Sequence, residues 1–250
     1  MIEKYKRAAA APDGAAVPGP DTAVLFSAGL DSAVLAAGAL AQGERVQPIY
    51  VSVGFAWEAE ERAMAERLFA RPPFAGRIEA LVTLAFDVRD VFAASHWAVR
   101  GEPPAFDTPD EDVYVHGRNV LLATKAAVYM TRATLAAAQS PEQRIRLLLG
   151  TLAGNPFPDA TPEFFDALAR ALTLGLAAPI TIEAPFAQMH KSDVIRRGVE
   201  LGVPFELTLS CMQPRDGQHC GQCSKCRERR DAFREAGAVD PTPYRTPPAR

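Results

Sequence analysis

The amino-acid sequence predicts an α/β protein: a parallel sheet with helices on both faces, followed by a small C-terminal metal-binding segment. Three observations lead there. Strand-like and helix-like hydrophobic patterns alternate through residues 21–205. The first strand runs directly into Ser27-Ala28-Gly29-Leu30-Asp31-Ser32, a polar turn that opens a helix. All four cysteines of the chain, Cys211, Cys220, Cys223 and Cys226, fall near the end. The chain accordingly divides into an N-terminal segment 1–20, an α/β domain 21–205, a four-cysteine segment 206–237 and a tail 238–250.

Residues 1–20 are rich in Ala, Pro and Gly after a short basic patch, and read as mobile, with a short helix over 2–9 as the alternative. Ala23 to Phe26 forms the first buried strand, and an apolar helical pattern runs from about Asp31 to Gln42. Arg45 to Val53 reads as the second strand, with Pro48 arguing against it because proline cannot donate to a ladder. Glu58 to Phe69 reads as a helix stopped by Arg71-Pro72-Pro73, and Glu79 to Val88 contains the third strand. The proline- and acid-rich stretch 100–112 has the length and composition of a flap or a connector. A helix from about Asn119 to Ala138, a strand within 144–152, a helix over 161–174 opened by Thr161-Pro162-Glu163, a strand near 181–183 and a helix over 191–201 complete the alternation.

Each motif carries its own chemistry. A strand-to-helix turn aims free backbone N–H groups and the positive helix end at one place, which suits phosphate. Ser27 and Ser32 add hydroxyls, and Gly29 permits close backbone approach. Asp31 repels phosphate, so it fits either as the helix cap or as a ligand of magnesium lying against the phosphates; a plain capped turn uses the same residue types. Gly117-Arg118-Asn119 opens the longest helix: Arg118 offers a planar cation at a second anion-friendly end and Asn119 an N-cap or ligand contact, while a solvated arginine is the plainer account. Lys191 at the start of the last α/β helix is a phosphate contact or a surface lysine. His116 and His190 read as packing or surface residues.

Two overlapping Cys-x-x-Cys pairs share Cys223, and four thiolates make the closed tetrahedral site of structural zinc. Disulfides or a redox pair are the alternatives, and His219 is a weaker candidate ligand. Arg227, Arg229, Arg230 and Arg234 follow on a short helix, either facing phosphates or forming a solvated basic face.

Composition narrows the function class. Hydrophobic residues make up 48% and charged residues 23% of the chain, as in an ordinary globular protein, and the net charge of −3 supplies no broad attraction to nucleic acid or membrane. No apolar run reaches the length of a bilayer span and no signal-peptide pattern is visible, which gives a cytoplasmic protein as the expectation. Neither GxxxxGK[ST] nor GxGxxG occurs.

Taken in order, these motifs resemble a known family. Ser27-Ala28-Gly29-Leu30-Asp31-Ser32 is similar to the pyrophosphate loop of the N-type ATP pyrophosphatases, and the span from about Ala23 to Ala236 resembles the 7-cyano-7-deazaguanine synthases of queuosine biosynthesis. The further matches are Gly117-Arg118-Asn119, Phe157-Pro158-Asp159 with Pro162-Glu163-Phe164, and Ala184-Pro185 leading to Lys191. They continue with Thr208-Leu209-Ser210-Cys211 and His219-Cys220-Gly221-Gln222-Cys223-Ser224-Lys225-Cys226.

The resemblance implies an adenine-nucleotide alpha-hydrolase-like, Rossmann-like fold. It implies an ATP-dependent carbon–nitrogen ligase that converts 7-carboxy-7-deazaguanine and ammonia to the nitrile through an adenylated carboxylate and an amide. Phe26, Ser27, Ala28, Gly29, Leu30, Asp31, Ser32, Gly117, Arg118 and Asn119 would bind ATP, with magnesium. Asp31, Arg118 and Lys191 would be catalytic. Asn155, Phe157, Asp159 and Ser210 would meet the substrate. Cys211, Cys220, Cys223 and Cys226 would hold structural Zn2+. A homodimer is implied by the family alone.

The chain departs from the family's pattern in places. Ala28 replaces a glycine, which requires φ < 0 at that residue and no crowding phosphate oxygen. Val53-Gly54-Phe55-Ala56-Trp57-Glu58 replaces a Tyr-Gly-Gln-type stretch, Ala153-Gly154-Asn155 an acidic pair, and Leu209 and Met212 aromatic residues. These changes leave open a paralogue that stops at the amide or joins the activated carboxylate to another amine. A sulfur-inserting transfer-RNA-modifying enzyme would want a cysteine in the α/β body and a basic groove, which the composition lacks. A non-catalytic zinc module would not need the phosphate loop.

Overall fold

The computed structural model describes residues 22–137 and 144–246. The mobile segment expected over 1–20 lies outside them, as do the end of the helix expected to reach Ala138 and the last residues of the tail. Five strands alternate with helices: β1 (Thr22–Leu25), α1 (Leu30–Ala41), β2 (Val46–Ser52), α2 (Glu58–Phe69), β3 (Val82–Ala85), a single turn α3 (Trp97–Arg100), α4 (Arg118–Ala136), β4 (Ile145–Leu148), α5 (Pro162–Leu176), β5 (Ile180–Glu183), α6 (Lys191–Glu200) and α7 (Ser224–Ala236). All pairings are parallel and the sheet order is β3-β2-β1-β4-β5. The expected fold class is therefore the observed one.

Side-chain alternation along β1 explains the layering. Ala23 faces one hydrophobic cluster and Val24 the other, and both are fully buried. One cluster joins α1, α2 and α6 with the cysteines and Phe233 of α7; the other packs α4 and α5 on the opposite face. Pro48 stands inside β2, opposite Val24, contrary to the weight its missing donor carried. Val46, Ile49, Tyr50 and Val51 are buried around it, so the hydrophobic gain of the strand exceeds one absent ladder bond. Strand order reverses beside β1, where β2 lies on one side and β4 on the other. That switch point leaves a crevice beyond the strands' carboxyl ends.

The four-cysteine segment folds back on the body rather than standing apart. Cys211, Cys220, Cys223 and Cys226 belong to the same buried cluster as α1 and α6. Among the described residues no helix is long and apolar enough to cross a membrane.

Candidate active site and metal centre

The turn after β1 builds the floor of the crevice. Gly29 (φ −64°) precedes the first helical residue, Leu30, and the Ser32 hydroxyl donates to the Gly29 carbonyl at 3.0 Å. The positive φ falls on Ala28, at +56°, against the expectation of a negative value. Ala28 is fully buried, and its carbonyl accepts from the Leu209 N–H at 2.8 Å. This hydrogen bond and the buried methyl offset the roughly 1 kcal/mol cost of a left-handed alanine, and they pin the turn to the segment before Cys211. Asp31 is not the helix cap. It sits in the first turn with Oδ1 buried and unpartnered, and Oδ2 lies 3.6 Å from Lys191 Nζ. Burial pushes the Asp31 carboxyl up, against the pull of Lys191.

A cleft of two joined lobes, of 270 and 340 Å³, opens above this turn. Both lobes are lined by Ser27, Gly29, Asp31, Trp57, Arg118, Gly150, Asn155 and Phe157. Phe26, Ser32 and Asn119 line the first lobe, and Leu30, Lys191 and Ser210 the second. The residues expected to meet ATP or substrate thus converge here, with three exceptions. Ala28, Gly117 and Asp159 do not line the cleft; they shape it. Gly117 (φ +69°) makes the turn into α4. Asn119 is not the cap but the second residue of α4, where its N–H donates to Asp159 Oδ2 and its side-chain amide to the Asp159 carbonyl, each at 3.0 Å. The Asp159 carboxyl is spent on the positive end of α4, so it fastens the 155–160 loop. Asn155 Oδ1 likewise accepts from the Phe157 N–H at 2.9 Å, and Phe157 stacks on Tyr114 with centroids 5.0 Å apart.

Several residues around the cleft were not singled out by sequence. Glu58 Oε1 gathers the backbone N–H groups of Val53, Gly54 and Phe55 at 2.7–3.0 Å and so holds the turn after β2. Glu61 is buried beneath the Tyr50 hydroxyl, which donates to it at 2.6 Å; burial lifts its pKa to about 7. Lys191 pairs with Glu228 as well as Asp31, and Glu228 pairs with Lys225 at 2.7 Å. Burial alone would raise Glu228, but the two lysines hold it down at about 2.

Lys225 and Glu228 are neighbours on α7, but Asp31 and Lys191 come from distant parts of the chain, so no local motif announces the network. Arg229 is also a correction. It is neither solvated nor aimed at phosphates: it is 1% exposed and donates to Thr242, Thr208, Ser210 and the Phe205 carbonyl at 2.6–3.2 Å. His190 is the cap position of α6, and His116 packs on Tyr114.

The cleft's polar demands fit a nucleotide with its cation. Asp31 Oδ1, Arg118 Nε and Thr151 Oγ1 are buried without hydrogen-bond partners, and each belongs to a residue lining the cleft. Orphaned polar atoms of opposite preference in one crevice are an unmet demand for a cation and for an anion together.

The metal centre is equally consistent. The four cysteine Sγ atoms are free, buried and within 4.8 Å of one another. Cys220 and Cys223 each approach Cys226, at 3.8 and 3.5 Å, close to the edge of a tetrahedron with Zn–S bonds of about 2.3 Å. The N–H groups of Gln213 and Cys220 point at Cys211 Sγ, and that of Gln222 at Cys220 Sγ, as thiolates favour. His219 stands outside the set: its Nε2 accepts from the Ser210 N–H at 3.0 Å, and burial pushes its pKa down to about 3. Four buried sulfurs of this kind fit zinc.

Comparison with known proteins gives the family. The model of the family "queuosine biosynthesis protein QueC" matches residues 21–237. A 7-cyano-7-deazaguanine synthase from Methanoculleus marisnigri is 35% identical over 230 residues, covering 88% of this chain and 96% of its own. One from Methanopyrus kandleri is 34% identical over 231 residues, covering 89% and 98%. Among solved structures, an NMN synthetase from Francisella tularensis is similar with a TM-score of 0.45 and 18% identity, covering 89% of this chain and 79% of that one. With the family model spanning most of the chain and full-length relatives above 30% identity, the chain belongs to the QueC family of queuosine biosynthesis proteins.

Proposed function

We propose that the protein is an ATP-dependent carbon–nitrogen ligase that converts 7-carboxy-7-deazaguanine and ammonia to 7-cyano-7-deazaguanine. The observation that carries this is the set of orphaned polar atoms in the cleft, Asp31 Oδ1, Arg118 Nε and Thr151 Oγ1, at the switch point of a parallel sheet. The reading extends to a cytoplasmic protein acting on small molecules, with ammonia or another amine as the nitrogen donor.

In this reading the Ser27–Ser32 turn receives the phosphates, and the substrate lies toward Asn155, Phe157 and Ser210. One substrate carboxylate oxygen attacks the α-phosphorus and pyrophosphate leaves. Ammonia then adds to the acyl carbon, its proton is lost to solvent, and AMP departs with that oxygen. The amide oxygen is activated in the same way by a second ATP, and loss of both amide protons with AMP leaves the nitrile. Arg118 and Lys191 offset the negative charge that builds on the phosphates. The rest is alignment, because no nucleophile with a matching base lines the cleft. Asp31 would hold Mg2+, which neutralises phosphate charge when bound. The cysteines would hold structural Zn2+.

Substrate labelled with 18O in both carboxylate oxygens tests the route. Two AMP molecules, each carrying one label, are expected per nitrile formed. One labelled AMP with an amide that retains the second label would identify an enzyme that stops at the amide. Unlabelled AMP would contradict adenylation of the carboxylate.

A further inference from the structure

Lys191 has two carboxylates within reach, and it is held unequally. Its Nζ makes its close contact with Glu228, whereas Asp31 Oδ2 stays 3.6 Å away. Glu228 in turn bonds Lys225 at 2.7 Å, and Lys225 bonds Asp110, in the connection between α3 and α4, at 3.1 Å. These side chains run as alternating charges from the phosphate turn, through α6 and α7, to the loop at the cleft's edge. Their exposures are 17% for Lys191, 23% for Glu228, 25% for Asp31 and Lys225 and 46% for Asp110, so the inner part of this run of charges is only partly screened by water.

We infer that Glu228 is a positioning residue that draws Lys191 off Asp31 and so keeps the Asp31 carboxylate open to a cation. The inference rests on the nucleotide reading of the cleft and names a further part of it. A lysine beside one buried carboxylate closes onto it, because the charge-assisted hydrogen bond is strongest at contact distance. With Lys191 Nζ anchored on α7, Asp31 retains an unpartnered oxygen, which is what is observed. Lys191 remains beside the turn as a fixed positive charge. Lys225, itself paired with Asp110, holds Glu228 from its other side, so the helix that carries the last cysteine sets the charge geometry of a turn some two hundred residues earlier in the chain.

The test is calorimetric binding of α,β-methylene-ATP, which cannot be adenylyl-transferred, to the full chain over a range of magnesium concentrations. Glu228→Gln keeps the shape and removes the charge. It is expected to weaken binding about tenfold, the worth of one charge-assisted contact, and to raise the magnesium needed for half-maximal binding. Glu235→Gln removes an exposed charge from the same helix and is expected to change neither. In a Lys191→Met background the lysine that pairs with Asp31 is gone, so Glu228→Gln should add little.

A full effect of Glu228→Gln in that background, an equal effect of Glu235→Gln, or unchanged magnesium dependence would overturn the inference. If Glu228→Gln does not fold, Glu228→Asp, whose shorter arm falls short of Lys191, enters the same cycle with the same expectation. Absence of nucleotide binding by the unmodified protein would instead overturn the nucleotide reading, and this inference with it.

Discussion

Glu61 pays for its place beside the cleft. Burial raises its carboxyl, with Glu58 adding to the effect, and the hydrogen bonds from Tyr50 and Trp57 and the charge of Arg118 compensate only in part, so its pKa stands at about 7 against an ordinary 4.5. Below the ordinary value both folded and unfolded chains carry the proton. Between about 4.5 and 7 the unfolded chain loses it first, so the folded state binds more protons and stability falls as pH rises. Above 7 the full cost is present, on the order of 3 kcal/mol. Glu61→Gln keeps an acceptor for Tyr50 and removes the charge. It should stabilise the protein by roughly 1–3 kcal/mol at pH 8 and by little at pH 5, read from chemical denaturation at the two pH values. An equal change at both would contradict burial as the cause. Residues acting through local geometry, such as the turn at Ser27–Ser32 and the cysteines, were legible in the sequence. Glu61 and Arg229 were not, because their roles depend on which distant residues bury them. Ala28 was misjudged in the sign of φ, since the hydrogen bond from Leu209 that holds it comes from far along the chain.

At the scale of elements, hydrophobic periodicity located the five strands and the main helices to within a few residues. It failed where no periodicity exists. The single turn α3 is too short to show one; it is fixed by His96, whose ring accepts from the Ala98 N–H, and by Trp97 stacking on Trp57. The sulfurs of the four-cysteine segment pack in the same core as α1 and α6. Metal loss should therefore be felt beyond residues 206–237. Cys223→Ser is expected to abolish zinc in the purified protein, by atomic emission, and to lower Tm by on the order of 10 °C, a loss of several kcal/mol in a chain of this size. Unchanged Tm in a zinc-free variant would contradict a structural role for the metal.

For the whole molecule, the parallel order β3-β2-β1-β4-β5 places the Ser27–Ser32 turn, the start of α4 and the start of α6 around one crevice. Alternation of strands and helices made that arrangement legible, but not the details of the second lobe of the cleft. There Asn155 ties its own loop, Asp159 fastens α4, and Trp57 and Met212 line the wall. The departures from the family's pattern at 53–58, 153–155, 209 and 212 all fall on or beside this lobe. The account's central claim is that it still carries a 7-deazaguanine carboxylate to the nitrile. Mass spectrometry of products formed by the purified protein from 7-carboxy-7-deazaguanine, magnesium-ATP and ammonium tests it most directly. The account predicts 7-cyano-7-deazaguanine, with ATP consumed; no product from zinc-containing protein that binds ATP would contradict it.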